Sequence, residues 1–224
     1  MKYFTKELYE EMQVYGSLVF CESKEDQEQE IEWYIKEGRD YFEESLQRFE
    51  IISPYMMKYL PENILTYVYD QRIMDCNIPD SVMRKEITAW RAQWNFKWKG
   101  VCEQYKQYYD SIYNDLSENL RKVGKDIRIH GAKIMDVAFK KNRLELVVNT
   151  VDDKVFDFLF TEVNSFEYQD NPINNVCEYL EIGLIDREVF EIQILLSNSI
   201  NTKNIYDTNE MKIIASDLNI IELK

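Results

Sequence analysis

The chain has 224 residues, 41 of them acidic and 27 basic, a net charge of −14, and an apolar fraction of 45% that includes 16 Tyr and 11 Phe. That charge argues against a general DNA or RNA binder, whose affinity comes from neutralising phosphates, and against docking on anionic lipid, while a basic partner is compatible with it. Four scattered cysteines without a C-x-x-C pair indicate reduced thiols and a cytoplasmic protein, the opening MKYFTKELYEEM lacks the apolar stretch of a secretion signal, and no apolar run approaches the roughly 20 residues of a membrane span.

In chain order, Thr5 can cap a first helix with Phe4, Leu8, Met12 and Tyr15 on its apolar face, ending near Gly16-Ser17. Ser23 opens a second and strongly charged helix, marked by Ile31, Ile35, Phe42, Leu46 and Phe49 and running to about Ile52. Gly38 sits on that stripe and is expected to allow a close helix crossing. Ser53-Pro54 and Leu60-Pro61 read as breaks, and Pro61 to Met74 as a short third helix carrying Leu65, Val68 and Ile73. From Ile87 through Trp90, Trp94, Trp98, Val101, Tyr105, Tyr108, Ile112, Leu116 and Leu120 to Val123, ten steps cover 36 residues, the 3.6 period of an α-helix. With Pro79-Asp80-Ser81 as a start and Gly124 as a stop, this predicts one helix over about 79–123, roughly 65 Å long at about 1.5 Å per residue. Such a rod needs companions along its length. Residues 22–50 hold 11 acidic and 4 basic side chains and residues 84–99 hold 5 basic and 1 acidic, so the two segments are expected to lie side by side.

From Asp126 the period changes to two. Met135, Val137 and Phe139 alternate, then Leu144, Leu146 and Val148, then Phe156, Phe158 and Phe160, with turns at Lys141-Asn142 and Asp152-Asp153. Asn171-Pro172 opens a loop, and Leu180, Ile182 and Leu184 answer Phe190, Ile192 and Ile194 across a turn at Asp186-Arg187. A polar stretch, 197–208, precedes closing strands at Met211 to Ala215 and Leu218 to Leu223. The expected class is α+β: an N-terminal helical bundle around one long helix (1–125), then an antiparallel sheet of six or seven strands (126–224) packed against it.

Chemistry has few places to sit. The run WRAQWNFKW interleaves indoles with bases as a base-stacking platform would, but its tryptophans share the stripe of core residues, which favours packing. Tyr105, Tyr108, Tyr109 and Tyr113 wrap beyond one stripe and either line a groove or form a plain seam between helix and sheet. His130 is the only histidine, so a site with two His ligands is excluded within one chain; it either pairs with Cys102 or Cys177 as a dyad or hydrogen-bonds a neighbouring backbone at the start of the sheet. Alternation puts Glu145, Asp157, Glu181 and Glu191 on the outer face of the sheet, where they either receive a basic partner, bind a cation, act as acid and base, or are simply solvated. No nucleotide-binding, EF-hand or nucleophile-elbow motif occurs, and no catalytic residue, metal ligand or cofactor is assigned.

The words MKYFTKELYEEM, the tryptophan-bearing helix and IHGAKIMDVAFKKNRLELVVN…FDFLFTEVNSFEY together resemble a bacterial family known only as a domain of unknown function. The sheet also resembles a building block of small acidic bacterial proteins, among them immunity proteins that neutralise polymorphic toxins. Those proteins often carry His-Asp at the start of the sheet, where this chain has His130-Gly131. Neither resemblance implies a catalytic residue. The expected function is a non-enzymatic cytoplasmic interaction module, an inhibitor or immunity-like binder of a basic protein that uses the carboxylates of the sheet or residues 22–50. The rivals are an enzyme with a tyrosine- and carboxylate-lined site between helices and sheet, and a structural protein that forms symmetric dimers. Oligomeric state is not legible.

Overall fold

A computed structural model describes residues 1–198 and 207–223, so most of the polar stretch 197–208 lies outside the described residues. The helices are α1 (Lys6–Ser17), α2 (Lys24–Lys36), α3 (Tyr41–Tyr59), α4 (Glu62–Tyr69), α5 (Ser81–Ile112) and α6 (Glu118–Lys125). The strands are β1 (Lys133–Lys140), β2 (Arg143–Asn149), β3 (Val155–Thr161), β4 (Ser165–Tyr168), β5 (Val176–Leu184), β6 (Phe190–Ser197), β7 (Thr208–Ala215) and β8 (Asp217–Leu223). The class is α+β, and no described helix is long and apolar enough to cross a membrane. The chain divides into two compact units, Glu7–Lys99 and Met1–Lys6 with Gly100–Lys224.

Four sequence expectations about the helices are corrected. The long helix ends at Ile112, not near 123. Asn114, Asp115 and Ser117 favour local side-chain bonds over a helical ladder, and the Ser117 hydroxyl caps α6 by accepting from the Leu120 amide at 3.4 Å. The 3.6 period survives the break because Ile112, Leu116, Leu120 and Val123 all face the same core. Gly38 does not sit at a helix crossing; nothing lies within 4 Å of a Cβ there. At φ +70° it ends α2, with the Gly38 and Arg39 amides donating back to the carbonyls of Ile35 and Tyr34, and Asp40 starts α3 as its cap. Pro54 does not break α3, since Phe49, Ile52 and Met56 are buried on one face across it and outweigh one lost backbone bond. The third helix stops at Tyr69, where Gln71 turns left-handed at φ +58°.

In the unit of 7–99, α1 runs along the first part of α5, with Tyr15 stacked on Trp94 at 4.5 Å. Of the basic side chains of α5, Lys97 and Arg91 bond to α1 and the residue just after it, and among the described residues only Arg84 meets the acidic segment 22–50, at its first residue. Arg84 pairs with Glu22 at 2.8 Å, Arg91 donates to the Leu18 carbonyl at 2.6 Å, and Lys97 pairs with Glu11. Trp90 and Trp94 are buried and Trp98 is half-buried. Apolar packing chose the neighbour and the charges followed it.

The second unit holds an eight-stranded antiparallel sheet in the order β4-β7-β6-β5-β1-β2-β3-β8. The additional strand is β4, four residues too short to show an alternation, paired with β7. β1 and β5 pair only at Lys133 and Val176, so the sheet is two four-stranded halves joined at a corner. β7 and β8 are separated by Ser216 alone yet lie in different halves, which requires the halves to face each other. A small apolar cavity of about 20 Å³ confirms this, with Leu146 and Phe158 of one half opposite Ile192 and Ile194 of the other. Beyond the corner, the β5 amides of Ile182 and Leu184 have no strand partner and donate instead to the hydroxyls of Tyr105 at 2.8 Å and Tyr108 at 3.3 Å.

Tyr109 points its hydroxyl at Gly124, where an added Cβ would lie 2.2 Å from that oxygen, and the oxygen itself is buried without a partner. Gly124→Ala is therefore expected to cost about 1–3 kcal/mol in urea unfolding. Tyr109→Phe is expected to be neutral or mildly stabilising, because it removes an unsatisfied group. A neutral Gly124→Ala would contradict this packing.

Candidate docking surface

The outward carboxylates of the sheet do not form a free row. Glu181 is buried, and its two oxygens accept the backbone amides of Lys2 (3.0 Å), Tyr3 (2.8 Å) and Phe4 (2.7 Å). Glu191 is paired with Lys212 at 2.6 Å and also accepts from Gln193. Both lie in the half of the sheet that contains β5 and β6. Glu145 and Asp157 lie in the other half, diagonal to each other across β2 and β3, since Glu145 faces Leu159 and Asp157 faces Val147. Glu145 is paired with Arg143 at 3.0 Å. The Oδ1 atom of Asp157 is buried without a donor, and burial first, then the Glu145 charge, hold its carboxyl above the usual Asp range.

The aromatic candidates are likewise taken up by the fold. The Tyr105 hydroxyl accepts the Ile182 amide, and that of Tyr109 is closed over Gly124. His130 is exposed, donates from Nδ1 to the Glu178 carbonyl at 2.6 Å and stacks on Tyr179. The backbone partner expected for it from the sequence is thus Glu178, the extra residue of a bulge in β5. Cys177 is buried, and its thiol is pushed up to about 12 by that burial, which suits packing and not nucleophilic attack.

A different surface is left open. Trp33 is 49% exposed, Ile35 67%, Phe42 54% and Leu46 39%, all on the hairpin of α2 and α3. The sequence placed Ile35, Phe42 and Leu46 inside because it read α2 and α3 as one helix. The turn at Gly38 splits the stripe, so that Phe49 is buried and Ile31 packs on a small core while Ile35, Phe42 and Leu46 face water. Beneath, Tyr34, Tyr41 and Cys76 form a separate small core. A polar network fastens the hairpin to the loop before α5: Arg48 donates to Asp75 at 2.8 Å and to the Tyr34 hydroxyl at 3.2 Å, and Ser45 bonds Asp75 and receives the Cys76 amide. Arg39 lies over the rings of Trp33 (5.4 Å) and Tyr34 (4.6 Å) while bonded to Glu44, which closes the apex. The hairpin is thus anchored at its base and apex and carries four exposed large apolar side chains within a segment of net charge −7, from 11 acidic and 4 basic residues.

Residues 3–207 match the model of a family described as protein of unknown function (DUF4085). The chain belongs to this family. Neither the curated proteins nor the solved structures contain a match to it. The family supplies no site, so the assignment of a surface rests on geometry. Among the described residues no cluster of three or more His, Cys, Asp or Glu side chains is arranged to hold a metal ion.

Two outcomes test the sheet. In Glu181→Ala the amides of Tyr3 and Phe4 lose their charged acceptor, and their hydrogen exchange is expected to accelerate about tenfold or more, followed by mass spectrometry. Because the Asp157 carboxyl is raised in the folded state, its ionisation opposes folding, and stability falls as pH rises through the raised value. Asp157→Asn should therefore be more stable than the parent in thermal unfolding at pH 7, with the difference vanishing below the ordinary Asp range. A constant difference across that range would contradict the shift.

Proposed function

We propose that this protein is a non-enzymatic interaction module of the cytoplasm that captures a basic segment of another protein on the hairpin of α2 and α3. The observation that carries the reading is the exposure of Trp33, Ile35, Phe42 and Leu46 on the most acidic stretch of the chain. A single exposed apolar residue needs no explanation, but four large ones within residues 33–46 of one anchored hairpin support a contact surface. Tryptophan and phenylalanine are the side chains that dominate such contacts. The surrounding carboxylates select the sign of the partner. They repel acidic chains and steer basic ones, so a lysine- or arginine-bearing amphipathic helix with an apolar face fits both features at once. The immunity-like role suggested by the sheet resemblance is one form of this reading, with the inhibited protein as the basic partner.

The test uses two labelled helical peptides of equal length and apolar pattern, one carrying lysines on its polar face and one glutamates, with binding read by fluorescence anisotropy. The lysine peptide is expected to bind in the micromolar range and to weaken as salt rises, since exposed charges are screened over about 10 Å at 0.1 M. The double variant Trp33→Ser/Phe42→Ser is expected to lose about tenfold or more of that affinity without change in circular dichroism. Equal binding of the two peptides, or an unaffected double variant, would overturn the assignment.

A further inference from the structure

Residues 18–22, which join α1 to α2, lie alongside the first half of α5 and are held at both ends by arginines of that helix. Arg91 donates to the Leu18 carbonyl at 2.6 Å. Two turns earlier, Arg84 donates to the Cys21 carbonyl at 3.1 Å and to the Glu22 carboxylate at 2.8 Å. Between these fastenings lies a cavity of about 150 Å³, lined by Arg84, Thr88 and Arg91 of α5, by the buried Leu18 and Ile87, and by Glu22. Steps of four and three put the three polar residues of α5 on one stripe, its ends about 10 Å apart along the axis. Pockets for whole ligands run to about 300–1,000 Å³, so this one has room for a charged head group and not for a complete cofactor. A guanidinium has more N–H groups than the one or two bonds described for each arginine employ, and no described bond engages the exposed Thr88 hydroxyl. Glu22 is a weak competitor for these donors, because its side chain is 80% exposed and a surface ion pair contributes little.

We infer that this cavity binds the phosphate group of a small molecule, with Arg84 and Arg91 on its two sides, Thr88 donating between them, and the Glu22 carboxylate displaced into water. A phosphate monoester brings about two negative charges and three acceptor oxygens, one for each donor side chain, where a carboxylate has an oxygen too few. The local field is favourable although the whole chain is acidic, since residues 84–99 hold 5 basic side chains and 1 acidic. Val19, which also lines the cavity, is 60% exposed, so together with Thr88 it leaves one side open to water for the substituent on the ester oxygen. The site uses none of the exposed apolar side chains of the hairpin and stands or falls separately from the function proposed above.

Calorimetric titration of the full chain with inorganic phosphate, glycerol 3-phosphate and acetate tests it. The phosphate compounds are expected to bind with a Kd of about 0.1–1 mM, and acetate about tenfold more weakly. Tighter binding of the ester identifies a phosphorylated small molecule as the ligand, tighter binding of inorganic phosphate identifies the free ion, and both support the site. Arg84→Gln should weaken binding about tenfold or more and Thr88→Val about threefold, with unchanged circular dichroism. Glu22→Gln removes the competing carboxylate and should tighten binding about threefold, a gain that a disturbed fold does not produce. No saturable binding of either phosphate compound in the millimolar range, acetate bound as well as phosphate, an Arg84→Gln variant that binds like the parent, or a Glu22→Gln variant that gains nothing would overturn the proposal.

Discussion

Every backbone amide that loses its strand must find another acceptor, and at the corner of the sheet two tyrosines of α5 provide it. β5 runs on well past its pairing with β1 at Val176, so no strand lies beside the amides of Ile182 and Leu184. A buried amide without a partner costs on the order of 1–3 kcal/mol, so the opening is stable only because Tyr105 and Tyr108, three residues apart on one helix face, deliver their hydroxyls there. The two halves of the sheet can then diverge and face each other across a shared core. Other edges are closed in the same spirit by single side chains. Asn119 donates to the Leu218 carbonyl, Asn219 accepts the Ile220 amide, and Asp136 accepts that of Val137. Glu178 bulges out of β5 and gives its freed carbonyl to His130.

Hydrophobic period told which side of each element is buried more reliably than where an element ends. The strands from Met135 onward appear with the expected alternation and turns, with Lys141 and Asp153 in the left-handed region at those turns. The helical stripe through Ile112 and Leu116 was read correctly as buried and wrongly as continuous, because two helices that serve one core keep a common phase across a kink. Gly38 reads in the sequence as a point of close approach, and the backbone bonds to Tyr34 and Ile35 show a left-handed cap instead. The strand Ser165–Tyr168 is defined by its pairing with β7, a long-range fact with no local signature in four residues.

The carboxylates show the same division. Alternation placed Glu145, Asp157, Glu181 and Glu191 on the side away from the core, but it cannot say what meets them there. Register decides that. Glu191 meets Lys212 because β6 pairs with β7, and Glu181 meets the amides of residues 2 to 4, some 180 positions distant in the chain. Three of the four thereby become structural groups, and the fourth, Asp157, is held by its surroundings in a state that favours the proton. A row of acids in a sequence is evidence of a solvated or paired face before it is evidence of a site.

The hairpin of α2 and α3 differs from these because large apolar side chains that pack on its small core through one side still face water on the other. Tyr34, Tyr41 and Cys76 fill the space beneath it, and Arg48, Asp75 and Ser45 fix its position, all with side chains that point inward. Phe42 and Leu46 leave a large part of their apolar surface in water where they stand. Large apolar side chains among eleven acids, on an element already anchored by other means, are costly unless something covers them. On the reading proposed above, the surrounding acids favour a basic cover, since an acidic surface would bring like charges together.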